Sequence, residues 1–79
     1  MATIKAALPG VLYWRASPDT DPYVAEGSPV ALGQTIALIE VMKTFNEVKA
    51  NEAGVVTRLL VDDGAEVAVG EDIVEVQNT

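Results

Sequence analysis

The sequence predicts an all-β fold, a flattened eight-stranded β-barrel or sandwich with approximate two-fold symmetry. Valine is prominent among the apolar residues, and the apolar runs are short, with glycine or proline between them. That pattern is typical of short strands joined by turns. No ten-residue stretch has clean helical periodicity. In addition, one segment of the chain occurs twice, which predicts two similar halves.

The expected strands follow the apolar runs. Longer strands are predicted near residues 3–8, 11–14, 35–41, 44–50, 55–60 and 72–76, with short pieces near Val24, Val30 and Val67. Two small sheets, each with one apolar face, can bury those faces against one another. The predicted core residues are Ile36, Leu38, Val48, Val55, Leu59, Val67, Ile73 and Val76.

In the internal repeat, residues 24–41 align with residues 61–78 at a shift of 37 positions. The first copy reads VAEGSPVALGQTIALIEV and the second copy reads VDDGAEVAVGEDIVEVQN. The glycine spacing is kept together with valine and isoleucine. Four glycines are therefore expected to adopt positive φ in equivalent turns: Gly27, Gly33, Gly64 and Gly70.

The repeat extends upstream with a gap. Pro9-Gly10-Val11 resembles Ala53-Gly54-Val55, but Gly10 lies 14 positions before Val24 whereas Gly54 lies 7 before Val61. The first half therefore carries seven extra residues within residues 16–23, whose sequence is ASPDTDPY. Proline, aspartate and serine predict a protruding loop. A loop that the repeated fold does not need is a candidate functional element.

Composition excludes several kinds of site. The 79 residues fit a single domain, residues 1–79. The chain has no Cys and no His, which excludes thiolate zinc sites, His-dependent hydrolytic triads and the commonest metal ligand, so no metal site is expected. The net charge of -7 disfavours nucleic-acid binding. No apolar run is long enough to span a membrane and no signal peptide is evident, so we expect a cytoplasmic protein.

Met42-Lys43 is predicted to form a two-residue hairpin turn between strands 35–41 and 44–50. Such turns favour Asn-Gly or Asp-Gly because both central residues take positive φ. A pair that breaks this rule at an exposed tip indicates a role other than folding. A solvent-exposed Lys is a poor Schiff-base nucleophile, since that chemistry needs a desolvated amine. An exposed Lys by itself remains compatible with an ordinary turn.

The residues around this turn carry a family resemblance. Glu40-Val41-Met42-Lys43 resembles the biotinylation motif of biotin carboxyl carrier domains, commonly written E-A-M-K-M. Val41 stands where that family usually has Ala, and Thr44 stands where it usually has a second Met. Pro9-Gly10, residues 50–56 and the pattern Gly64…Val67…Gly70 extend the resemblance over nearly the whole chain. Residues 13–19 resemble the segment leading into the "thumb" loop of acetyl-CoA carboxylase carrier domains.

The resemblance implies a carrier without a catalytic centre of its own. Biotin would be attached through an amide to Lys43, with Glu40, Val41, Met42 and Thr44 forming the recognition motif. Biotin protein ligase would attach it, biotin carboxylase would load CO2 as carboxybiotin, and a carboxyltransferase would pass it to an acceptor such as acetyl-CoA or another acyl-CoA. The thumb residues Asp19, Thr20 and Asp21 would contact the biotin ring.

Two alternatives remain open from the sequence. One is a lipoyl-type carrier on the same fold, although Met42 argues against it. The other is a barrel that is not biotinylated and only binds partners. Trp14 and Phe45 are expected to be packing residues, and either could also lie near the biotin site.

Overall fold

A computed structural model describes residues 2–78, and within this range the regular elements are all β-strands. The eight strands are β1 (Ala2–Lys5), β2 (Gly10–Tyr13), β3 (Pro29–Val30), β4 (Thr35–Val41), β5 (Thr44–Lys49), β6 (Gly54–Leu59), β7 (Ala65–Val67) and β8 (Asp72–Gln77). The predicted all-β, eight-stranded fold is confirmed. No helix that could cross a membrane occurs in residues 2–78.

The strands form two four-stranded antiparallel sheets with the orders β1-β8-β6-β3 and β5-β4-β2-β7. We call them sheet 1 and sheet 2. The molecule is flattened, with extents of 36 × 28 × 20 Å. Two stacked sheets have this shape because each buries one face and exposes the other.

The internal repeat carries each strand of sheet 2 onto a strand of sheet 1. Val11 lies opposite Glu40 in the β2–β4 pair, and Val55 lies opposite Gln77 in the β6–β8 pair. Positions in β2 and β6 thus differ by 44, and positions in β4 and β8 differ by 37. These are the two offsets found in the sequence, so the predicted two-fold relationship is confirmed.

The turns repeat together with their hydrogen bonds. The amide of Gly33 donates to the carbonyl of Ala50 at 2.7 Å, and the amide of Gly70 donates to that of Ala6 at 2.8 Å. All four predicted turn glycines have positive φ: 90° at Gly27, 84° at Gly33, 84° at Gly64 and 85° at Gly70. Their spacing in the sequence therefore marks equivalent backbone turns.

Aliphatic side chains fill the space between the sheets. The largest fully buried ones are Leu12, Ile36, Ile39, Val56, Ile73, Val74 and Val76. Of the predicted core, Ile36, Leu38, Val48, Val67, Ile73 and Val76 are buried. Val55 and Leu59 are only half-buried. Val55 alternates with buried Val56 and so faces outward, whereas Leu59 packs against the margin of the core.

Two predicted strands differ from the structure. Val24 is buried but belongs to the irregular connection between β2 and β3, just as its repeat counterpart Val61 belongs to the irregular connection between β6 and β7. Strand β1 ends at Lys5 rather than continuing to residue 8. Its pairing register with β8 already shifts between Ile4 and Lys5, and the chain then turns toward Pro9, which has no N–H to donate.

Candidate functional site

Met42 and Lys43 form the tip of the β4–β5 hairpin. Their φ angles are 50° and 66°, and no other non-glycine residue in the described part of the chain has positive φ. Positive φ at both central residues defines a type I′ turn, whose twist matches that of the flanking strands. The predicted two-residue hairpin is confirmed. Its left-handed backbone costs an L-residue roughly 1–2 kcal/mol.

The flanking strands hold this strained tip. Val41 pairs with Thr44 directly below it, and the ladder continues to Thr35 opposite Lys49. Ile39 is 1% exposed and anchors β4 in the core. The tip itself is open to solvent: Met42 is 92% exposed, and Lys43 and Thr44 are also exposed. The lysine amine therefore projects from a rigid support.

The hairpin occurs only once in the fold. Under the repeat, β4 and β5 correspond to β8 and β1, which pair in the same register but are the last and first strands of the chain. No turn joins them. The strained tip is thus a feature that the two-fold scaffold does not itself require.

The outer face of sheet 2 below the tip carries an acid between two aromatic rings. Glu40 lies opposite Phe45 in the β4–β5 pair, so both side chains share a face. The Tyr13 hydroxyl donates to Oε1 of Glu40 at 3.2 Å, and the Tyr13 and Phe45 ring centroids are 6.1 Å apart with planes tilted by 55°. Partial burial, the Glu40 hydrogen bond and the charges of Glu40 and Asp63 raise the pKa of Tyr13.

The insertion is a closed loop with its own turn. The amide of Tyr23 donates to the carbonyl of Trp14 at 2.8 Å and closes its base. Farther out, the Ser17 amide donates to Oγ1 of Thr20 at 3.0 Å, and the Thr20 hydroxyl donates back to the Ser17 carbonyl at 2.9 Å. Asp19 and Asp21 are exposed beside this turn. Local hydrogen bonds of this kind order a polar loop.

Trp14 anchors the insertion to the second half of the chain. Its side chain is 4% exposed, and its indole N–H donates to the carbonyl of Val61 at 2.9 Å. Its backbone amide donates to Oδ1 of Asp63 at 2.7 Å. The prediction that Trp14 is a packing residue is therefore confirmed.

A cleft of about 400 Å³ lies between the base of the insertion and the hairpin. Tyr13, Phe45, Asp63 and residues 15–18 line it. Phe45 is 56% exposed, so the expectation that it is a packing residue is wrong. It is on the outer face of an edge strand, where no second layer covers it. Residues 19–21 do not line the cleft.

The structure thus brings together part of the predicted site and adds residues to it. Glu40, Val41, Met42, Lys43 and Thr44 are contiguous on the hairpin, with Val41 packed against the core. Tyr13 and Arg15 line the cleft and were not predicted as site residues, whereas Phe45 was expected to pack and also to be a candidate neighbour of the site. The alternation of side chains along β2 and β5 predicts that Tyr13 and Phe45 face outward. That they are close together follows only from the strand order, in which β4 lies between β2 and β5.

The arrangement supplies a primary amine for covalent attachment and little acid–base chemistry beside it. No acidic side chain of residues 2–78 lies within ion-pair distance of Lys43. Among the same residues no group of three or more potential metal ligands occurs. The Lys43 amine is exposed, three residues after the hydrogen-bonded Glu40 carboxylate, and is therefore accessible for covalent modification.

Comparisons with known proteins agree with this geometry. The family model described as "Biotin-requiring enzyme" matches residues 2–76. Over 74 residues the chain is 42% identical to the biotin carboxyl carrier protein of acetyl-CoA carboxylase from Streptococcus pyogenes, covering 94% of this chain and 45% of that protein. It is 30% identical over 74 residues to the protein of the same name from Haemophilus influenzae, covering 94% and 48%.

A chloroplastic relative from Arabidopsis thaliana, the biotin carboxyl carrier protein of acetyl-CoA carboxylase 2, is 36% identical over 66 residues, which cover 84% of this chain and 26% of that protein. The chain therefore spans less than half the length of these relatives. The family match over nearly all of its residues establishes that the chain belongs to the biotin/lipoyl attachment family of biotin-requiring enzymes.

Proposed function

We propose that residues 1–79 form a biotin carboxyl carrier domain in which biotin is joined through an amide to Nζ of Lys43. The observation that carries this proposal is the exposed Lys43 amine at a strained hairpin tip that the two-fold scaffold does not require. The names of the relatives support biotin as the attached group and acetyl-CoA carboxylase as the parent enzyme.

The residues present fit such an attachment. An amide requires a reachable primary amine, and Lys43 supplies one at an exposed position where biotin protein ligase can approach from several directions. When bound, biotin supplies a ureido nitrogen that accepts CO2 at one enzyme and releases it at another. The chain's own part is to present that group on a rigid tip, and tethering raises its local concentration at each partner site.

The carrier would work between two enzymes rather than as one. Biotin carboxylase would load CO2 and a carboxyltransferase would unload it to acetyl-CoA or another acyl-CoA. Neither His nor Cys is present in the chain, so the acid–base groups would belong to those partners. Purified alone, the domain should form no carboxylated acyl-CoA, and sustained turnover by the isolated domain would contradict this role.

The attachment is tested by incubating the purified domain with biotin protein ligase, biotin and ATP. Wild-type protein should gain the mass of one biotinyl group and bind streptavidin, whereas Lys43→Ala should do neither. Lys49→Ala is the matched control, because Lys49 is an exposed lysine on the same hairpin, with a side chain 59% exposed. Absence of biotin on the wild-type chain would favour an interaction module, and a lipoyl mass on protein purified from its source would favour a lipoyl carrier.

We further propose that the insertion contacts the biotin ring through Asp19, Thr20 and Asp21. The carboxylates of Asp19 and Asp21 are exposed at its tip and could accept hydrogen bonds from ureido N–H groups. The cleft at the base of the insertion lies on the same side of the hairpin as Phe45. The insertion can be tested by deleting residues 17–23, which gives the first half the same loop length as the second half.

In this deletion variant, transfer of CO2 from biotin to the acceptor should slow while Lys43 is still biotinylated. An unchanged transfer rate would contradict the contact.

A further inference from the structure

The two-fold repeat provides an internal comparison for the outer faces of the two sheets. Tyr13 in β2 corresponds to Thr57 in β6, and Glu40 in β4 corresponds to Gln77 in β8. Thr57 donates its hydroxyl proton to Glu75, at 2.9 Å from Oε1. Tyr13 instead donates to Glu40 on β4. The repeat counterpart of Glu75 is Leu38, two positions before Glu40. The Tyr13–Glu40 hydrogen bond has no equivalent in sheet 1.

The Tyr13–Glu40 hydrogen bond, which has no counterpart in sheet 1, positions the negative charge of Glu40 near the hairpin tip. Glu40 is three residues before Lys43 and is half-buried on the outer face of sheet 2. The Tyr13 hydroxyl restrains its carboxylate at one oxygen. Phe45, opposite Glu40 in the ladder, leaves an exposed ring beside the charge. An anion and an aromatic ring are thus held side by side on the two strands that carry the lysine tip.

We propose that Tyr13 is a positioning residue for the loading of Lys43, holding the Glu40 carboxylate beside the Phe45 ring so that biotin protein ligase meets a fixed anion and a fixed apolar surface next to the target amine. This inference rests on the proposed function. The complementary ligase surface would carry a cation, with a guanidinium best suited because it can pair with the carboxylate and stack on the ring.

A structural role alone does not account for this arrangement. Leu38 lies opposite Tyr13 in the β2–β4 pair and is 9% exposed, so the Tyr13 ring has an apolar cross-strand neighbour. Packing would need the ring but not the hydroxyl. In the other half, threonine takes this position and glutamine takes the place of Glu40; the β6–β8 pairing matches β2–β4 at Val55 and Val56 and shifts register at Thr57.

The test measures initial rates of biotinylation of apo-domain by purified ligase over a range of domain concentrations. Tyr13→Phe keeps the ring and removes the hydroxyl, and Glu40→Gln removes the charge. Tyr13→Phe should raise KM for the domain roughly 2- to 10-fold, the effect expected for one lost hydrogen bond, with little change in kcat. Thr57→Val removes the equivalent hydroxyl of the other half and should leave both constants unchanged.

The double variant decides whether Tyr13 acts through Glu40. If it does, Tyr13→Phe combined with Glu40→Gln should be no worse than Glu40→Gln alone, because a positioning residue has nothing to position once the charge is gone. The inference would be overturned if the KM effects of the two single variants multiplied in the double variant, or if Tyr13→Phe were biotinylated like wild type. Neither result would contradict biotinylation at Lys43. A wild-type chain that is not biotinylated would overturn both. Thermal melting of Tyr13→Phe and Thr57→Val shows whether the compared variants are equally folded.

Discussion

The amide of Gly64 donates to the carbonyl of Leu12 at 2.7 Å, and this bond joins the turn before β7 to the middle of β2. Its two-fold equivalent, from Gly27 to Val56, has the same length. Contacts that occur twice belong to the scaffold. The Met42-Lys43 tip, the insertion and the Tyr13–Glu40 hydrogen bond each occur once and have no counterpart in the other half.

Replacing Lys43 by Gly should stabilise the fold while removing the attachment site. Glycine adopts positive φ without the steric penalty of an L-residue, so we expect the free energy of unfolding of the apo-domain to rise by about 1 kcal/mol. Thr44→Gly is the control: Thr44 is also exposed but does not have positive φ, and the change should destabilise the domain by about 0.5–1 kcal/mol. Urea unfolding measures both, and a Lys43→Gly variant less stable than wild type would show that the tip is not strained.

Adding a methyl group at either of two equivalent glycines should destabilise both variants similarly but slow the biotinylation of Lys43 more in one of them. A Cβ on Gly10 would lie 2.8 Å from Cγ2 of Ile39, and a Cβ on Gly54 would lie 2.7 Å from Cγ1 of Val76. Each Gly→Ala change should cost about 1–3 kcal/mol through overpacking.

Only Gly10 adjoins the strand that leads into the tip, since its added Cβ would also press on the backbone carbonyl of Glu40. Gly10→Ala should therefore slow biotinylation of Lys43 more than Gly54→Ala at equal stability. Chemical denaturation and ligase assays on the two variants provide the comparison. Equal slowing by Gly54→Ala would show that loading responds to global stability alone.

Features fixed by local backbone geometry could be predicted from the sequence. The positive φ of Gly27 and Gly64 and the β4–β5 turn follow from residue spacing, because turns constrain φ within a few residues. The unequal spacing of Gly10 and Val24 against Gly54 and Val61 likewise predicts the position of the insertion. The predicted strand β4 matches the observed one at both ends.

Features that depend on strand order could not be predicted in the same way. Tyr13 and Phe45 are 32 positions apart and meet because β2 and β5 both pair with β4. Alternation indicates which residues face outward, but the sheet order decides which of them become neighbours. The direction in which the insertion folds is likewise set by Trp14 and its bond to Val61, a long-range contact. Residues 15–18, which directly follow this anchor, line the cleft, whereas residues 19–21 do not.

Trp14→Phe should loosen the insertion from the barrel. The substitution removes the indole donor to the Val61 carbonyl and leaves a cavity at a nearly fully buried site, so the free energy of unfolding should fall by about 1–3 kcal/mol. Proteolysis within residues 17–22 should become faster. Tyr23→Phe is a suitable control because the bond that closes the loop uses the backbone amide of Tyr23 and survives the change. Unchanged stability and cleavage in Trp14→Phe would contradict the anchoring role.

The ionisation of Tyr13 should report on Glu40 directly. Partial burial raises the Tyr13 pKa above its usual value of 10.0, and Glu40 raises it further through its hydrogen bond and its charge. In a Tyr23→Phe background Tyr13 is the only tyrosine, since the chain contains two. Absorbance titration should then give a lower Tyr13 pKa in Glu40→Gln than in its parent, yet one still above the usual value because burial and the Asp63 charge remain.

The same shift sets the sign of a pH effect on stability. Because the folded state holds the Tyr13 proton more tightly than the unfolded state, its contribution is fully present below pH 10.0 and is lost as the pH rises through the raised pKa of the folded protein. Stability should therefore fall less steeply in alkali for Glu40→Gln than for its parent, as measured by urea unfolding at several pH values. A titration curve of Tyr13 unmoved by Glu40→Gln would show that the hydroxyl and the carboxylate are not in contact in solution.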